Sequence, residues 1–159
     1  DLAFFAHATR WGAPLALFCL LHRSKRIKTK LSYILISCCS LTFFTHGWEA
    51  LQLNASFIDL IYLNTQNIKL NLSLKSIHIM LYFIGTMDIF LALFLLFKRS
   101  PRLLLWMTFW GLLTALSRSL ALGLNHGWQE TFIRAANPIL PLVLYLLISP
   151  KLKHGTDHE

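Results

Sequence analysis

Charged residues are scarce in this sequence, and those present are confined to a few short stretches. Asp, Glu, Lys and Arg make up 14% of its 159 residues, whereas hydrophobic residues make up 55%. A soluble domain of this length would carry about a quarter of its residues as charges. The composition therefore argues against a soluble globular protein and favours an integral membrane protein.

Cysteines and long polar segments are also scarce. The three cysteines, Cys19, Cys38 and Cys39, fall within apolar stretches, and none belongs to a Cys-X-X-Cys motif. A thiol-redox enzyme is therefore disfavoured, and these thiols are expected to be buried and inert. The only sizeable segment between apolar stretches, 54–75, is too short for a catalytic domain, so any such domain would have to come from a partner.

Five apolar runs approach or exceed the about 20 residues that a helix needs to cross a hydrocarbon core of about 30 Å. Because helices satisfy their own backbone hydrogen bonds in lipid, each run should form one helix. The sequence thus predicts an all-α integral membrane protein, a single bundle of about five transmembrane helices over residues 1–159. The segment 54–75 should contain a short helix lying in the membrane interface. The predicted spans are 2–21, 31–53, 77–97, 103–124 and 131–148.

Lys and Arg cluster on one side of this five-span arrangement. Segment 23–30 contains five of them, segment 98–102 contains three, and Lys151 and Lys153 follow in the C-terminal tail. The positive-inside rule then places the N-terminus outside and the C-terminus in the cytoplasm. The net charge of +8 is explained by topology and indicates no nucleic-acid partner, because the basic clusters are short and adjoin spans.

Ionisable side chains interrupt the spans in their outer halves, judged from a rise of about 1.5 Å per residue. A charge in mid-bilayer costs about 2.5–3.5 kcal/mol, so such residues normally face the bundle interior and find partners. We expect Asp88 to pair with Arg118, and Glu49 to pair with Arg10 or Arg134. The functional interpretation is one outward-facing polar cavity; the structural alternative is a set of ion pairs and headgroup contacts. The candidate ligand-binding residues are His46, Glu49, Asp88, Arg118, Arg134 and Arg10.

The tripeptide His-Gly-Trp occurs twice, at 46–48 and 126–128, each time followed by a nearby carboxylate. Glycine that loosens a helix end and tryptophan of the interfacial aromatic belt account for this repeat structurally. The alternative is a haem or metal site, in which His7 and His46 would be suitable axial ligands of a b-type haem. The candidate ligands for that site are His7, His46, His78 and His126.

From the second span onward, the chain resembles the DoxX-like group of small bacterial membrane proteins. The resemblance covers 31–149 and rests on His46-Gly47 followed by a polar residue, and on Gly85 followed by Asp88, a leucine-rich run and a basic turn. The chain departs from the group's pattern where Glu49 follows the His-Gly pair and where Asp88 replaces the usual glutamate. The resemblance implies a multi-pass protein of the bacterial inner membrane. It also implies a redox-associated role, since members are linked to quinone-coupled sulfur oxidation and to oxidative-stress assemblies.

These observations lead to three functional hypotheses. The first is a small accessory subunit of a redox or respiratory assembly whose cavity binds a quinone head group or an anion, because the deep arginines outnumber the carboxylates. The second is a quinone-linked oxidoreductase subunit that holds haem or metal. The third is a purely structural subunit of a membrane complex. In each case the partners are the lipid bilayer and other membrane subunits or further copies of the chain.

Overall fold

Helices account for nearly all of the part of the chain that the structure describes. The computed structural model describes residues 3–22 and 24–149, and these residues contain no β-strand. The predicted start at Leu2, Arg23 of the first basic cluster, and Lys151 and Lys153 of the tail lie outside the described residues. The helices are α1 (Ala3–Ala6), α2 (Ala8–Leu21), α3 (Lys25–Leu51), α4 (Ala55–Asn67), α5 (Leu74–Phe97), α6 (Pro101–Leu122), α7 (Leu124–Ile133) and α8 (Ala136–Ile148).

Four helical segments are long and apolar enough to cross a membrane: α1 with α2, then α3, α5 and α6. The pair α7 and α8, bent by 43° at its break, makes a fifth if it counts as one span. Large apolar side chains cover the outside of these helices; Phe97 on α5, for example, is 87% exposed. These are the properties of a multi-pass membrane protein, and they confirm the predicted all-helical fold at this level.

The helix boundaries differ from the predicted spans mainly in two places. α3 begins at Lys25 and not at the predicted Leu31, so residues 25–30 of the basic segment are helical. If the bent pair α7 and α8 is one span, that span begins at Leu124 instead of Thr131, with α7 packed along α6. There the hydroxyl of Thr131 donates to the carbonyl of Ala115 at 2.9 Å. Residues 125–130, which lie between the fourth and fifth predicted spans, are therefore helical.

The sequence provides recognisable signals at several helix ends. The side chains of Asn54 and Ser73 cap the first turns of α4 and α5 by accepting backbone N–H bonds. Pro101 occupies the first turn of α6, where a missing N–H costs nothing. Gly123 ends α6 with φ of 73°, a left-handed conformation that favours glycine, and the chain turns there into α7.

The helices pack as an incomplete ring. α3 packs on α2 and α5, α8 packs on α2, α3 and α6, and the short helix α4 contacts both α5 and α6. α5 and α6 are consecutive in the chain, yet they share few contacts with each other. The ring is therefore least closed between α5 and α6, where α4 lies across it.

The main hydrophobic core fills one end of the bundle, here called the core end. It is built from side chains such as Leu35 of α3, Leu95 of α5, Leu104 of α6 and Leu144 of α8, all fully buried. A smaller cluster, formed by Ala50, Ile77 and Leu81, lies beneath α4 at the opposite end. Between the two clusters the packing is incomplete, and this opposite half is called the cavity end.

Candidate ligand-binding cavity

A cavity of about 410 Å³ lies at the cavity end, between α3, α4, α5, α6 and α8. His46, Asp88, Arg118 and Arg134 all line it, so the structure brings four of the six predicted ligand-binding residues together. Glu49 and Arg10 are not among the lining residues. Most of the remaining wall is apolar, with Phe43, Phe57, Trp110 and several leucines among the lining side chains.

Asp88 and Trp110 lie at the end of the cavity that is nearest the main core. The indole Nε1 of Trp110 on α6 donates a hydrogen bond of 2.7 Å to a carboxylate oxygen of the buried Asp88 on α5. One turn further along α5, Leu91 belongs to the core, and so does Met107 on the neighbouring turn of α6. The hydrogen bond thus joins α5 and α6 at the boundary between packed core and open cavity.

Two glycines hold α3 against α5 beside this boundary. A Cβ atom placed on Gly47 would lie 2.7 Å from the carbonyl oxygen of Gly85, and one on Gly85 would lie 2.6 Å from the oxygen of Gly47. Only residues without a side chain permit this approach. Because His46 adjoins Gly47, and Asp88 lies one turn beyond Gly85, the contact places both side chains at the same cavity.

Arg118 has an unsatisfied polar atom at the cavity. Its Nε atom is buried without a hydrogen-bond partner, as is Oδ1 of the lining residue Asn64, and its guanidinium carbon lies 6.0 Å from the centre of the Phe57 ring. The predicted ion pair with Asp88 was wrong, since no ion pair joins these two described residues. The physical reason is position along α6: Arg118 follows Trp110 by about 12 Å of helix rise, so Asp88 bonds to the indole instead.

The predicted pairing of Glu49 with an arginine was also wrong. Arg134 forms its ion pair with Glu130 of α7, and it also donates a bond of 3.1 Å to the carbonyl of that residue. Glu49 lies nearest to His46, with 4.0 Å between its carboxylate and the imidazole Nδ1. Arg10 is close enough to Arg134 and Glu130 to interact with them electrostatically.

Cations therefore dominate the outer part of the cavity. Arg134 interacts electrostatically with Arg118 and Arg10, and all three arginines act on the half-buried His46. Within the part of the chain that the structure describes, Glu130 is the one carboxylate in ion-pair contact with any of these arginines. The local charge balance is thus positive.

An uncharged network that the sequence reasoning missed supports the same wall. The hydroxyl of the fully buried Thr9 on α2 donates to Oδ1 of Asn137 at 2.7 Å, and its backbone N–H donates to Oγ1 of Thr42 at 3.0 Å. Thr42 and Asn137 both line the cavity. The only sequence signal was an asparagine in an apolar span, at Asn137.

The four histidines proposed as haem or metal ligands are not gathered at one place. His46 lines the cavity, and His7, at the turn between α1 and α2, is close enough to interact with it electrostatically. His78 lies in the first turns of α5, and His126 is exposed on α7. Residues 3–22 and 24–149 contain no group of three or more His, Cys, Asp or Glu side chains that could hold a metal ion.

A comparison of the chain with known protein families, curated proteins and solved structures finds no match. The resemblance to the DoxX-like group therefore stays a prediction, and the candidate site rests on the geometry of its own residues.

Proposed function

We propose that this protein is a small membrane subunit whose cavity binds one ligand through an oxygen-bearing head, either a quinone head group or an anion. The observation that carries the proposal is Arg118, a guanidinium group at the cavity with a buried nitrogen that has no partner. A charge held in a membrane protein without a partner costs about 2.5–3.5 kcal/mol, and an unmet buried donor adds to this cost. A ligand oxygen that accepts a hydrogen bond would satisfy the unmet donor, and an anionic head would also offset the charge.

The neighbouring polar groups match the same kind of ligand. Oδ1 of Asn137 already accepts the hydroxyl of Thr9, so the amide group of Asn137 remains a donor. Thr42 likewise accepts through its oxygen and keeps its hydroxyl proton for donation. With Arg118 and Arg134, these donors suit the carbonyl oxygens of a quinone or the oxygens of a carboxylate or phosphate.

The rest of the cavity suits an apolar body attached to that head. A volume of about 410 Å³ lies near the lower end of the about 300–1,000 Å³ typical of ligand pockets, enough for one ring or head with a short chain. On the core-end side of the Asp88–Trp110 hydrogen bond the bundle is closely packed, with Leu95 and Leu104 fully buried. A binding role is therefore favoured over passage of a solute through the bundle.

The cavity end is proposed to face the outside of a bacterial inner membrane, with the N-terminus outside and the C-terminus in the cytoplasm. The basic turn between α5 and α6 lies at the opposite end, where Arg99 stacks over the Tyr33 ring of α3 at 4.0 Å. The positive-inside rule assigns such an end to the cytoplasm. Association with a redox or respiratory assembly follows from the DoxX-like resemblance alone.

Ligand titration of the purified protein in nonionic micelles tests this proposal. The probes are decylubiquinone and decyl phosphate, which separate the quinone from the anion alternative. Arg118→Gln should weaken binding of the correct probe by at least about tenfold, because one charged hydrogen bond contributes about 1.5–3 kcal/mol. Arg102→Gln is the matched control, since Arg102 is an exposed arginine at the other end of the same helix.

A failure would be clear in either of two ways. If neither probe binds the wild-type protein, the ligand-binding proposal is refuted and the purely structural subunit takes its place. If Arg118→Gln and Arg102→Gln bind the probes equally well, any binding occurs elsewhere than in this cavity.

A further inference from the structure

α5 and α6 are consecutive in the chain but share few contacts, and the cavity lies between them next to the Asp88–Trp110 hydrogen bond. At the core end, buried side chains of both helices, such as Leu95 and Leu104, belong to one cluster. Over their whole lengths the two helices share few contacts, and each packs mainly on another neighbour, α5 on α3 and α6 on α8. Residues of both helices line the cavity, which therefore occupies a space between these two consecutive spans, here called the gap.

Several side chains belong both to the cavity wall and to the outer surface of these spans. Met80 of α5 lines the cavity and is 40% exposed. On α6, Leu113 is 47% exposed and Leu116 49%, and both also line the cavity. Side chains that form cavity wall and also carry accessible surface are candidates for the rim of the cavity. These candidates lie on α5 and α6.

Helix α4 forms the part of the cavity wall at the cavity end of the bundle. Phe57 and Ile61 of α4 line the cavity and pack against the small cluster beneath this helix. At its C-terminal end, the amide of Asn67 donates to the carbonyl oxygens of Leu120 at 2.6 Å and Ala121 at 3.1 Å, which fastens α4 to α6. α4 thus bridges α5 and α6 near Leu81 and Leu120. The part of the gap where Leu113 and Leu116 line the cavity lies nearer the core end.

Both faces of the gap are free of charge outside the site itself. Between residues 77 and 97 the only charged residue is Asp88, and between 103 and 122 the only one is Arg118. Asp88 is buried against Trp110, so it does not face the opening. The rim of the gap thus offers methylene and methyl groups, which suit a hydrocarbon chain and not a hydrated head.

We propose that the ligand is a single-chain amphiphile dissolved in the bilayer, which enters sideways between α5 and α6 and leaves its chain in this gap. The inference rests on the proposed function, because the head is held by the donors around Arg118. The volume supports it: about 410 Å³ accommodates a head and the first part of a chain, so a longer chain must leave through the apolar opening. In the surrounding lipid the chain exposes no apolar surface to water, so its transfer out of the cavity is not opposed by the hydrophobic effect.

Leu113→Trp tests this route, and Leu112→Trp is a closely matched control. The two leucines are adjacent on α6 and are both 47% exposed, but only Leu113 lines the cavity. The protein is reconstituted in phosphatidylcholine vesicles and titrated with decylubiquinone and with the same quinone ring without a chain. Decyl phosphate and methyl phosphate form the parallel pair if the head is an anion.

We expect Leu113→Trp to weaken the decyl probe and to spare the chainless probe. Displacing as few as two methylenes from the gap corresponds to about tenfold in affinity. Leu112→Trp should leave both affinities unchanged. An unchanged thermal midpoint in both variants shows that they fold.

The other outcomes overturn the inference in distinguishable ways. If Leu113→Trp leaves the decyl probe unaffected while Arg118→Gln still weakens it, the head site is retained and the lateral route is refuted. If Leu113→Trp weakens both probes equally, the chain has no separate place in the gap, and this inference is again refuted. If no probe binds the wild-type protein, the proposed function fails, and the inference fails with it.

Discussion

The close contact between α3 and α5 at Gly47 and Gly85 predicts that Gly47→Ala destabilises the protein. In Gly47→Ala the new methyl group would meet the Gly85 oxygen at 2.7 Å, Cγ1 of Ile89 at 2.9 Å and Cβ of Asp88 at 3.0 Å. The first of these atoms is backbone, so relief requires the two helices to move apart. Overpacking of this kind costs about 1–3 kcal/mol, and the rigid obstacle places this case near the upper limit. At about 2–4 °C per kcal/mol for a chain of this size, the thermal midpoint should fall by about 6–12 °C.

Thermal unfolding in nonionic micelles measures this effect, with Gly12→Ala as the control. A Cβ atom at Gly12 would meet only side-chain atoms, Cβ of Cys38 and Cδ2 of Leu140, both at 3.3 Å. Gly12→Ala should therefore cost clearly less. The double variant Gly47→Ala with Gly85→Ala should cost less than the sum of the single variants, because one separation of the helices accommodates both methyl groups. Equal midpoints for Gly47→Ala and Gly12→Ala, or strict additivity of the pair, would refute the close helix contact.

Two further predictions concern the floor of the cavity and the orientation of the chain. Trp110→Phe removes the donor to the buried Asp88 carboxylate, so it should lower the free energy of unfolding by about 1.5–3 kcal/mol. Asp88→Asn in the same background should recover part of that loss, and recovery of nothing would contradict the assignment of the bond. For the orientation, a tag placed after the last residue should be labelled only after the cells are permeabilised, as the distribution of Lys and Arg requires. Labelling of intact cells would contradict it.

The sequence was sufficient to predict the helices and the end of the bundle at which polar residues collect. Hydropathy and helix rise give the length of each span and the depth of each side chain, and depth alone grouped His46, Asp88, Arg118 and Arg134 correctly. The depth of a residue in the membrane does not give the direction in which its side chain points around the helix axis. For this reason Glu49 and Arg10, at similar predicted depths, are absent from the lining residues.

The partners of the charged groups could not be predicted for a related reason. Asp88 was expected to pair with Arg118, the charged residue nearest in predicted depth. Its carboxylate instead accepts a hydrogen bond from the neutral indole of Trp110, which lies across the α5–α6 boundary. Arg134 pairs with Glu130 because α7 is helical, which sets the two residues one turn apart, whereas the predicted spans left Glu130 between two helices. Uncharged contacts, such as the hydroxyl of Thr9 on Asn137, produce no signal in a charge pattern.

The two His-Gly-Trp segments show how a pattern can be real and have a different cause. Their glycines do not end helices: Gly47 lies inside α3 and Gly127 inside α7. A Cβ atom on Gly127 would lie 2.6 Å from the carbonyl oxygen of Arg118, so this glycine permits close packing against α6, as Gly47 does against α5. Close packing beside the cavity is the shared physical reason, and it depends on which helices are neighbours.

Photoaffinity mapping on the unmodified chain tests the central claim most directly, namely that this cavity holds the head of a ligand. Decylubiquinone and decyl phosphate derivatives with a photoreactive group on the head are activated in vesicles, and the labelled residues are identified by mass spectrometry. The account predicts that one probe labels the cavity-lining segments around His46 and Arg118, and that excess unmodified probe removes this labelling. Labelling by both probes that is spread evenly over the lipid-facing surfaces and resists competition would contradict it.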